Sequence, residues 1–477
     1  MRAAHTVEQV RAAEAALMAR LPTGTLMQRA AAGLAVACSD LLGSVYGARV
    51  LLLIGSGDNG GDALYAGARL ARRGALVSAI AFTPSKANPG GLAAFRAAGG
   101  RLVEQFTACD LVVDGVVGIG GRPGLKPEVV KVLDHVEEHA VPVVAVDVPS
   151  GVDVDAAEVG ERCVRADVTV TFGTHKICHL ADPAALVCGA VHLVDIGLDL
   201  PAPAVESLQA ADVAALYPRP AVDAHKYTRG VVGLLVGSPD FSGAAVLAAS
   251  GAVAGPAGMV RYAGDPDVAT AIRARHPEVV AASGRVQSWV VGSGLGDRAD
   301  AGRIAGILEA GEPTVVDADG LRFLPARLRH PALLTPHAGE LARLLDVRRE
   351  DVERRPLEHA RAAAERWRAT VLLKGRRTIV TAPDGRTRVN PTGTPWLSTA
   401  GSGDVLAGLC GALLAAGLDP LDAGSVGAWL HGAAGTAASQ GWPITASEVV
   451  SALSHVLPFA DPVSGPGVSV RPESPLA

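Results

Sequence analysis

At 477 residues the chain is too long for one ordinary domain, and about two or three are expected. Hydrophobic residues make up 49%, charged residues 19% and aromatics 4%, with 56 glycines, a composition of tightly packed α/β layers rather than of a disordered or fibrous chain. A net charge of −5 provides no basic surface for nucleic acid or for an anionic membrane, so neither is expected as a partner.

The chain opens on spaced apolar positions that carry Glu8 and Glu14, which reads as a helix rather than a signal peptide. A second helix is expected beyond Pro22-Thr23-Gly24, up to about Ala35. Residues 49–54 form a short unbroken apolar run, the mark of a buried parallel strand. The run enters Gly55-Ser56-Gly57-Asp58-Asn59-Gly60-Gly61-Asp62, and helical periodicity resumes from Ala63 to Arg72. Strand, glycine loop and helix in this order make either a cradle for a nucleotide phosphate or a ligand-free βα turn. No Gly-Lys-Ser/Thr follows, which excludes the phosphate loop of the common nucleoside triphosphatases.

Further strands are predicted over 75–80, 111–114 and 142–147. Asp62, Asp114 and Asp147 then stand at or just past strand ends, each beside a glycine loop, and should converge on the carboxyl edge where such sheets bind ligands. The six cysteines include no C-x-x-C pair. Cys163, His175, Cys178 and His179 are near one another, but at a spacing that fits no common zinc site, so they read as reduced structural thiols and loop histidines.

Gly55-x-Gly57-x-Asn59-Gly60-Gly61-Asp62, the Asp114-Gly115…Gly118-x-Gly120 loop and Asp147-x-Pro149-Ser150-Gly151 together resemble the signatures of the NAD(P)H-hydrate epimerases. The resemblance covers most of the first half and implies interconversion of the R and S forms of nicotinamide cofactors hydrated at C6. It further implies that Asn59, Asp114 and Ser150 hold K+, an ion suited to hard oxygens. Asp58, Asn59, Gly60, Gly61 and Asp62 would touch the hydrated cofactor, as would Gly118, Ile119, Gly120, Gly121, Arg122, Pro123 and Gly124. Asp147 would join them as the acid/base for proton traffic at the ring. Two positions depart from the family pattern: Asp58 stands where Asn is usual, and Ala63 where Gly is usual.

A strand at 191–195 and the proline-rich stretch 199–205 suggest a linker near residue 205. Beyond it, strands are predicted over 231–238, 258–262, 289–292, 314–317, 333–336 and 371–375, most of them separated by segments of helical period. The weakly polar stretch 243–260 contains Ser250 and Pro256 and reads as a buried helix and turn, not a membrane span.

Four stretches of this half carry chemistry. Gly292-Ser293-Gly294-Leu295-Gly296 lets backbone approach a ligand. Thr335-Pro336-His337-Ala338-Gly339-Glu340 puts His337 at a strand end, as a satisfied loop residue or as a ligand contact. Lys374-Gly375-Arg376-Arg377-Thr378 is a solvated basic turn or a partner for a nucleotide's phosphate and ribose. Thr399-Ala400-Gly401-Ser402-Gly403-Asp404 is a tight loop opening a helix, with unpaired backbone N–H groups and the positive end of the helix dipole aimed at one point. Asp404 at its edge is either a cap or a base.

The combination is similar to the ribokinase-like fold and, within it, to the ADP-dependent NAD(P)H-hydrate dehydratases. His225-Lys226-Tyr227-x-Arg229-Gly230 and Ser242-Gly243-Ala244-Ala245 belong to the same pattern. By this resemblance Lys374, Gly375, Arg376, Arg377, Thr378 and Gly403 would bind the adenine nucleotide. Ala244, Gly294 or Gly296, His337 and the catalytic Asp404 would face the hydrated nicotinamide nucleotide. Thr394 stands where the family usually has Asn.

The whole chain therefore resembles the bifunctional NAD(P)H-hydrate repair enzymes, an epimerase over residues 1–207 fused to a dehydratase over 208–477. The expected fold is α/β in two domains, a Rossmann-like doubly wound sheet followed by a ribokinase-like domain. NADH-hydrate, NADPH-hydrate and ADP are the expected small-molecule substrates, with Mg2+ and K+ as cofactors, in a cytoplasmic homo-oligomer. Two other readings stay open on the residues alone: a small-molecule kinase for the second half, and a non-catalytic nucleotide-binding or assembly module for the first.

Overall fold

The computed structural model describes residues 1–457. A short strand, Arg2–His5 (β1), precedes the expected opening helix Val7–Met18, and Arg49–Ile54 (β2) is the apolar run seen in the sequence. Leu76–Ala81 (β3), Arg101–Leu102 (β4), Leu111–Gly115 (β5) and Val143–Val146 (β6) follow. The first half ends with Val168–Phe172 (β7), His175–Lys176 (β8), Ala190–Val194 (β9) and Val205–Ser207 (β10).

Seven of these strands form a wholly parallel sheet in the order β4-β3-β2-β5-β6-β7-β9. Strand order reverses between β2 and β5, so the sheet is doubly wound and its ligand crevice lies at the carboxyl ends of these two strands. Successive side chains of a strand point to opposite faces, and β2 accordingly feeds two cores. Val50, Leu52 and Ile54 pack with helices Thr25–Leu42 and Asp58–Arg72, while Leu51 and Leu53 pack with Pro127–Glu138.

Two local features differ from expectation. The helix expected from Ala63 begins at Asp58, after Gly57 in extended conformation, so only Gly55, Ser56 and Gly57 form the loop. Gly60 permits this, because a Cβ there would lie 2.7 Å from the Gly55 carbonyl oxygen. The second feature is β7, whose apolar residues alternate with Thr169 and Thr171. Both hydroxyls are buried and donate hydrogen bonds, to the Cys188 carbonyl (2.7 Å) and to Asp147 (2.9 Å), so the strand shows no apolar run.

In the second half, Val231–Leu235 (β11), Met259–Tyr262 (β12), Ser288–Val291 (β13), Thr314–Val316 (β14), Ala332–Leu334 (β15) and Thr370–Leu373 (β16) are all parallel. An antiparallel hairpin, Thr378–Thr381 (β17) and Thr387–Asn390 (β18), extends the sheet. Beyond β18 the sheet continues into β10, β1 and β8 of the first half, giving eleven strands in the order β12-β11-β13-β14-β15-β16-β17-β18-β10-β1-β8. The linker expected near residue 205 is thus a strand: Val205 is buried, and β10 pairs antiparallel with β1 and parallel with β18. One hydrophobic core includes Ala4, Val148, Ile177 and Val205 together with Val291, Val316 and Leu334, so apolar packing is continuous between the halves.

The weakly polar stretch is helix Ser242–Ala254 followed by β12, and among the described residues no helix is long and apolar enough to cross a membrane. Helix Ser242–Ala254 packs backbone to backbone on Ser402–Ala415, the helix that carries Asp404. A Cβ on Gly251 would lie 2.1 Å from the Val405 carbonyl oxygen, and one on Gly408 would lie 1.9 Å from that of Ala248. Gly408→Val should therefore force the helices apart and lower stability by about 1–3 kcal/mol or more, read as a shift of the urea unfolding midpoint. An unchanged midpoint would mean that the contact is not close-packed.

Candidate functional site

Acidic side chains gather at the carboxyl edges of both sheets. In the first half the crevice between β2 and β5 is floored by Asp114, which is fully buried. One of its carboxylate oxygens accepts from the Ser150 backbone N–H (2.8 Å), the other from the Ser150 hydroxyl (2.7 Å) and the Val116 N–H (3.2 Å). Burial pushes this carboxyl up to about 6 against the pull of those bonds. Asn59 reaches the same place from the first turn of helix Asp58–Arg72: a Cβ on Gly118 would lie 2.9 Å from its Oδ1, and its buried Nδ2 has no partner. Asn59, Asp114 and Ser150 are thus brought together.

Asp62 lies one turn further along the helix, buried, with Oδ1 unpartnered. Burial first, then the charges of Asp147, Asp58 and Glu14, push its carboxyl well above the usual range. Asp58 is exposed in the first helical turn, and Ala63 is buried where its Cβ fits only because residue 115 is glycine, at 2.8 Å from a would-be Cβ there. The segment of Gly118, Ile119, Gly120, Gly121, Arg122, Pro123 and Gly124 forms the rim, with Arg122 and Pro123 exposed and the Gly124 N–H bonded to the Gly151 carbonyl (3.0 Å).

Asp147 follows β6 with φ +65. Its Oδ1 accepts from the Lys176 ammonium (2.5 Å) and the Thr171 hydroxyl (2.9 Å), and its carbonyl contacts His179 Nε2 (3.0 Å). Burial pushes His179 down to about 3, which leaves the ring neutral. Lys176, Thr171 and Glu14 are site residues that reading the sequence misses. The first two lie in a polar-interrupted stretch with no motif, and Glu14 arrives from a helix far away in the chain. Cys178 and Cys188 of the same region are buried and unpaired.

In the second half Asp317, at the end of β14, is fully enclosed. It accepts from the hydroxyls of Ser293 (2.8 Å) and Thr335 (2.8 Å) and from the Lys374 ammonium (2.8 Å). Burial would raise this carboxyl, but the Lys374 charge and the three hydrogen bonds outweigh it and hold the group below its ordinary value. Lys374 in turn is pushed up, because Asp317 and Glu340 (4.0 Å) overcome its burial. A Cβ on Gly403 would lie 3.4 Å from the Lys374 ammonium, so the lysine stands beside the Gly401 loop.

That loop turns on Gly401 at φ +86, and no side chain caps the helix. Asp404 is its third residue and not the cap, which leaves the carboxyl available for chemistry. Burial first, then the charge of Asp317, push the Asp404 carboxyl up to about 7, against the pull of the Lys374 charge. His337 caps helix Ala338–Leu345, its Nδ1 accepting from the Gly339 and Glu340 N–H groups, so Nε2 carries the N–H, 3.5 Å from Glu340 Oε1. Ala244 meets Gly294, where a Cβ would approach to 2.6 Å, and Gly296 lies at φ +59 beside the Phe241 ring.

The basic turn divides. Lys374 joins the Gly401 loop, Gly375 is exposed and Thr378 begins β17. Arg376 instead forms an ion pair with Asp182 of the first half, and Arg377 has a buried Nε without a partner. Thr394 accepts from the Trp396 N–H (3.4 Å) and starts the turn Pro395–Leu397.

Residues 232–454 match the family described as NAD(P)H-hydrate dehydratase, and residues 23–178 match that described as YjeF-related protein N-terminus. The chain is 48% identical over 480 residues to a bifunctional NAD(P)H-hydrate repair enzyme of Mycobacterium leprae, covering 96% of this chain and 99% of that one. A relative of the same description from Moorella thermoacetica is 33% identical over 476 residues, covering 88% and 89%. Among solved structures, the ADP/ATP-dependent NAD(P)H-hydrate dehydratase of Bacillus subtilis, co-crystallised with ATP and Mg2+, is 28% identical with a TM-score of 0.50 and covers 53% of this chain and 97% of that one.

The raised Asp404 carboxyl has a consequence for stability. Its ordinary value is 3.8 and its folded value about 7, so ionising it costs the folded state; the cost is absent below the first value and complete above the second. Asp404→Asn should raise the melting temperature relative to the unaltered protein at about pH 8 and leave it unchanged near pH 4. Equal melting temperatures at both would show a carboxylate that is not desolvated.

Proposed function

This chain belongs to the family of bifunctional NAD(P)H-hydrate repair enzymes, and we propose that Asp404 is the general base of its ADP-dependent dehydratase half. The reading is carried by the contrast between two carboxyls at one sheet edge. Asp317 is saturated by a cation and two hydroxyls, whereas Asp404 titrates near neutrality beside an uncapped helix start.

The C6 hydroxyl of the S-hydrate gives its proton to Asp404 as its oxygen bonds to the terminal phosphorus of ADP, and AMP leaves. The N–H groups of the Gly401 loop and the Lys374 ammonium hold the phosphoryl oxygens as charge develops. Mg2+ arriving with the nucleotide supplies further charge neutralisation. The ring nitrogen's lone pair then expels phosphate from C6, C5 releases a proton, and NADH or NADPH is regained. Gly375, Thr378 and Gly403 line the nucleotide side with Lys374 and Arg377; Arg376 would join them only by releasing Asp182. The hydrated ring would lie beside Ala244, Gly294 and Gly296, with the half-exposed His337 ring facing it.

The ribokinase-like second half, taken as residues 208–477 with 458–477 outside the described residues, accepts the S form, and the Rossmann-like first half, residues 1–207, converts the R form to it with Asp147 as acid/base. The rim from Gly118 to Gly124 and the helix start from Asp58 to Asp62 hold the hydrated cofactor there. Asn59, Asp114 and Ser150 would hold K+. Their oxygens are hard donors, and among the described residues no ion pair reaches the buried Asp114, so a monovalent cation would supply the missing charge. The six unpaired cysteines suit a reducing, cytoplasmic setting, and a symmetric homo-oligomer is the common state for enzymes of this kind.

Recovery of absorbance at 340 nm from purified S-NADH-hydrate with ADP and Mg2+ tests the assignment. Asp404→Asn should cost on the order of 10²–10⁴ in turnover, and near-normal turnover would remove Asp404 from the role of base. In the unaltered protein kcat should fall about tenfold per pH unit below roughly 7, because the base is then protonated. A stable phosphorylated product in place of free phosphate would identify a kinase instead.

A further inference from the structure

Lys176 is 1% exposed, and its ammonium finds three acceptors: Asp147 Oδ1 at 2.5 Å, the Thr171 hydroxyl at 2.9 Å and the Phe172 carbonyl at 3.0 Å. All three of its N–H bonds are thereby used. Asp147 Oδ1 also accepts from Thr171 (2.9 Å) and, at longer range, from the Phe172 N–H (3.4 Å), whereas Oδ2 takes no hydrogen bond among the described residues. The carboxylate is therefore gripped by one oxygen and presents the other. Its backbone is held as firmly: Asp147 occupies the left-handed region at φ +65, which is costly for a residue with a Cβ, and His179 fixes its carbonyl.

The lysine does not come from the sheet that carries Asp147. Asp147 follows β6 of the seven-stranded sheet, whereas Lys176 lies on β8, at the end of the eleven-stranded sheet, where it stands opposite His5 of β1. The ion pair thus crosses from one sheet to the other. A buried pair of this kind contributes little net stability over an apolar pair of the same volume, so its presence beside Glu14, Asp58 and Asp62 calls for another role.

We propose that Lys176 is the positioning residue of the first site, which, from the second sheet, holds the Asp147 carboxylate with Oδ2 directed at the hydrated ring. The inference rests on Asp147 being the acid/base of that site. Thr171 completes the grip by bonding both partners.

The test uses the full-length protein. Without ADP the dehydratase is silent, so conversion of purified R-NADH-hydrate to the S form, followed by chromatography, reports the first site alone. Lys176→Met should lower kcat for this conversion about 100-fold with KM within about threefold, as expected for a misplaced acid/base. Lys176→Arg should recover a substantial part of the rate, and ADP-dependent consumption of S-hydrate should be unchanged in both. Thr171→Val, a milder change that serves if Lys176→Met does not fold, should lower kcat about tenfold with KM unaltered. Full epimerase turnover in Lys176→Met or Thr171→Val, with Asp147→Asn inactive, would overturn the inference about Lys176. Full turnover in Asp147→Asn would instead overturn the assignment of the acid/base, on which the inference rests.

Discussion

A carboxylate taken out of water must be given something in place of its hydration, and the chemistry of this molecule follows from how four aspartates meet that demand. Asp317 receives a lysine and two hydroxyls and stays ionised. Asp147 receives a lysine and one hydroxyl, all on one oxygen. Asp114 has hydrogen bonds from Ser150 and Val116 but no cation of the chain's own among the described residues, and keeps its proton to about 6. Asp404 has the least compensation and keeps its proton to about 7. The two that are held by lysines organise their sites, and the one that is left short is the one suited to take up a proton near neutral pH.

Parallel strands make this arrangement possible, because their carboxyl ends bring residues from distant parts of the chain to a common edge. Their apolar runs and the glycine loops that follow are legible in the sequence, and so is Asp404 at the start of its helix. Residues supplied from elsewhere are not. Lys176 arrives by way of a two-residue strand that belongs to the other sheet, Glu14 from the opening helix, and Asp317 looks like any strand-end acid until Lys374 is set beside it. The same holds for the fold: β2 is unmistakable, whereas β7 hides behind bonded threonines and the hairpin of β17 and β18 has no apolar stripe to betray it.

The small-residue composition has a structural counterpart. Helices Ser242–Ala254 and Ser402–Ala415 touch through Gly251 and Gly408, with backbone atoms where larger side chains would otherwise intervene. This close approach seats the Gly401 loop against the end of the sheet, within reach of Lys374. Alanine and glycine thus do here what bulky aromatics do in other cores, trading buried area per residue for short, stiff spacing.

The sheet that runs through both halves has a further consequence. Without the first half, β18 would be an open edge, a row of backbone donors and acceptors able to recruit a strand from any neighbouring molecule. In the intact chain β10, β1 and β8 cover it, and β10 touches it through the single register pair of Glu206 and Arg388, whose side chains also form an ion pair at 3.3 Å. The fusion of the two halves is therefore also an edge guard, in which strands of the first half cover the edge of the second.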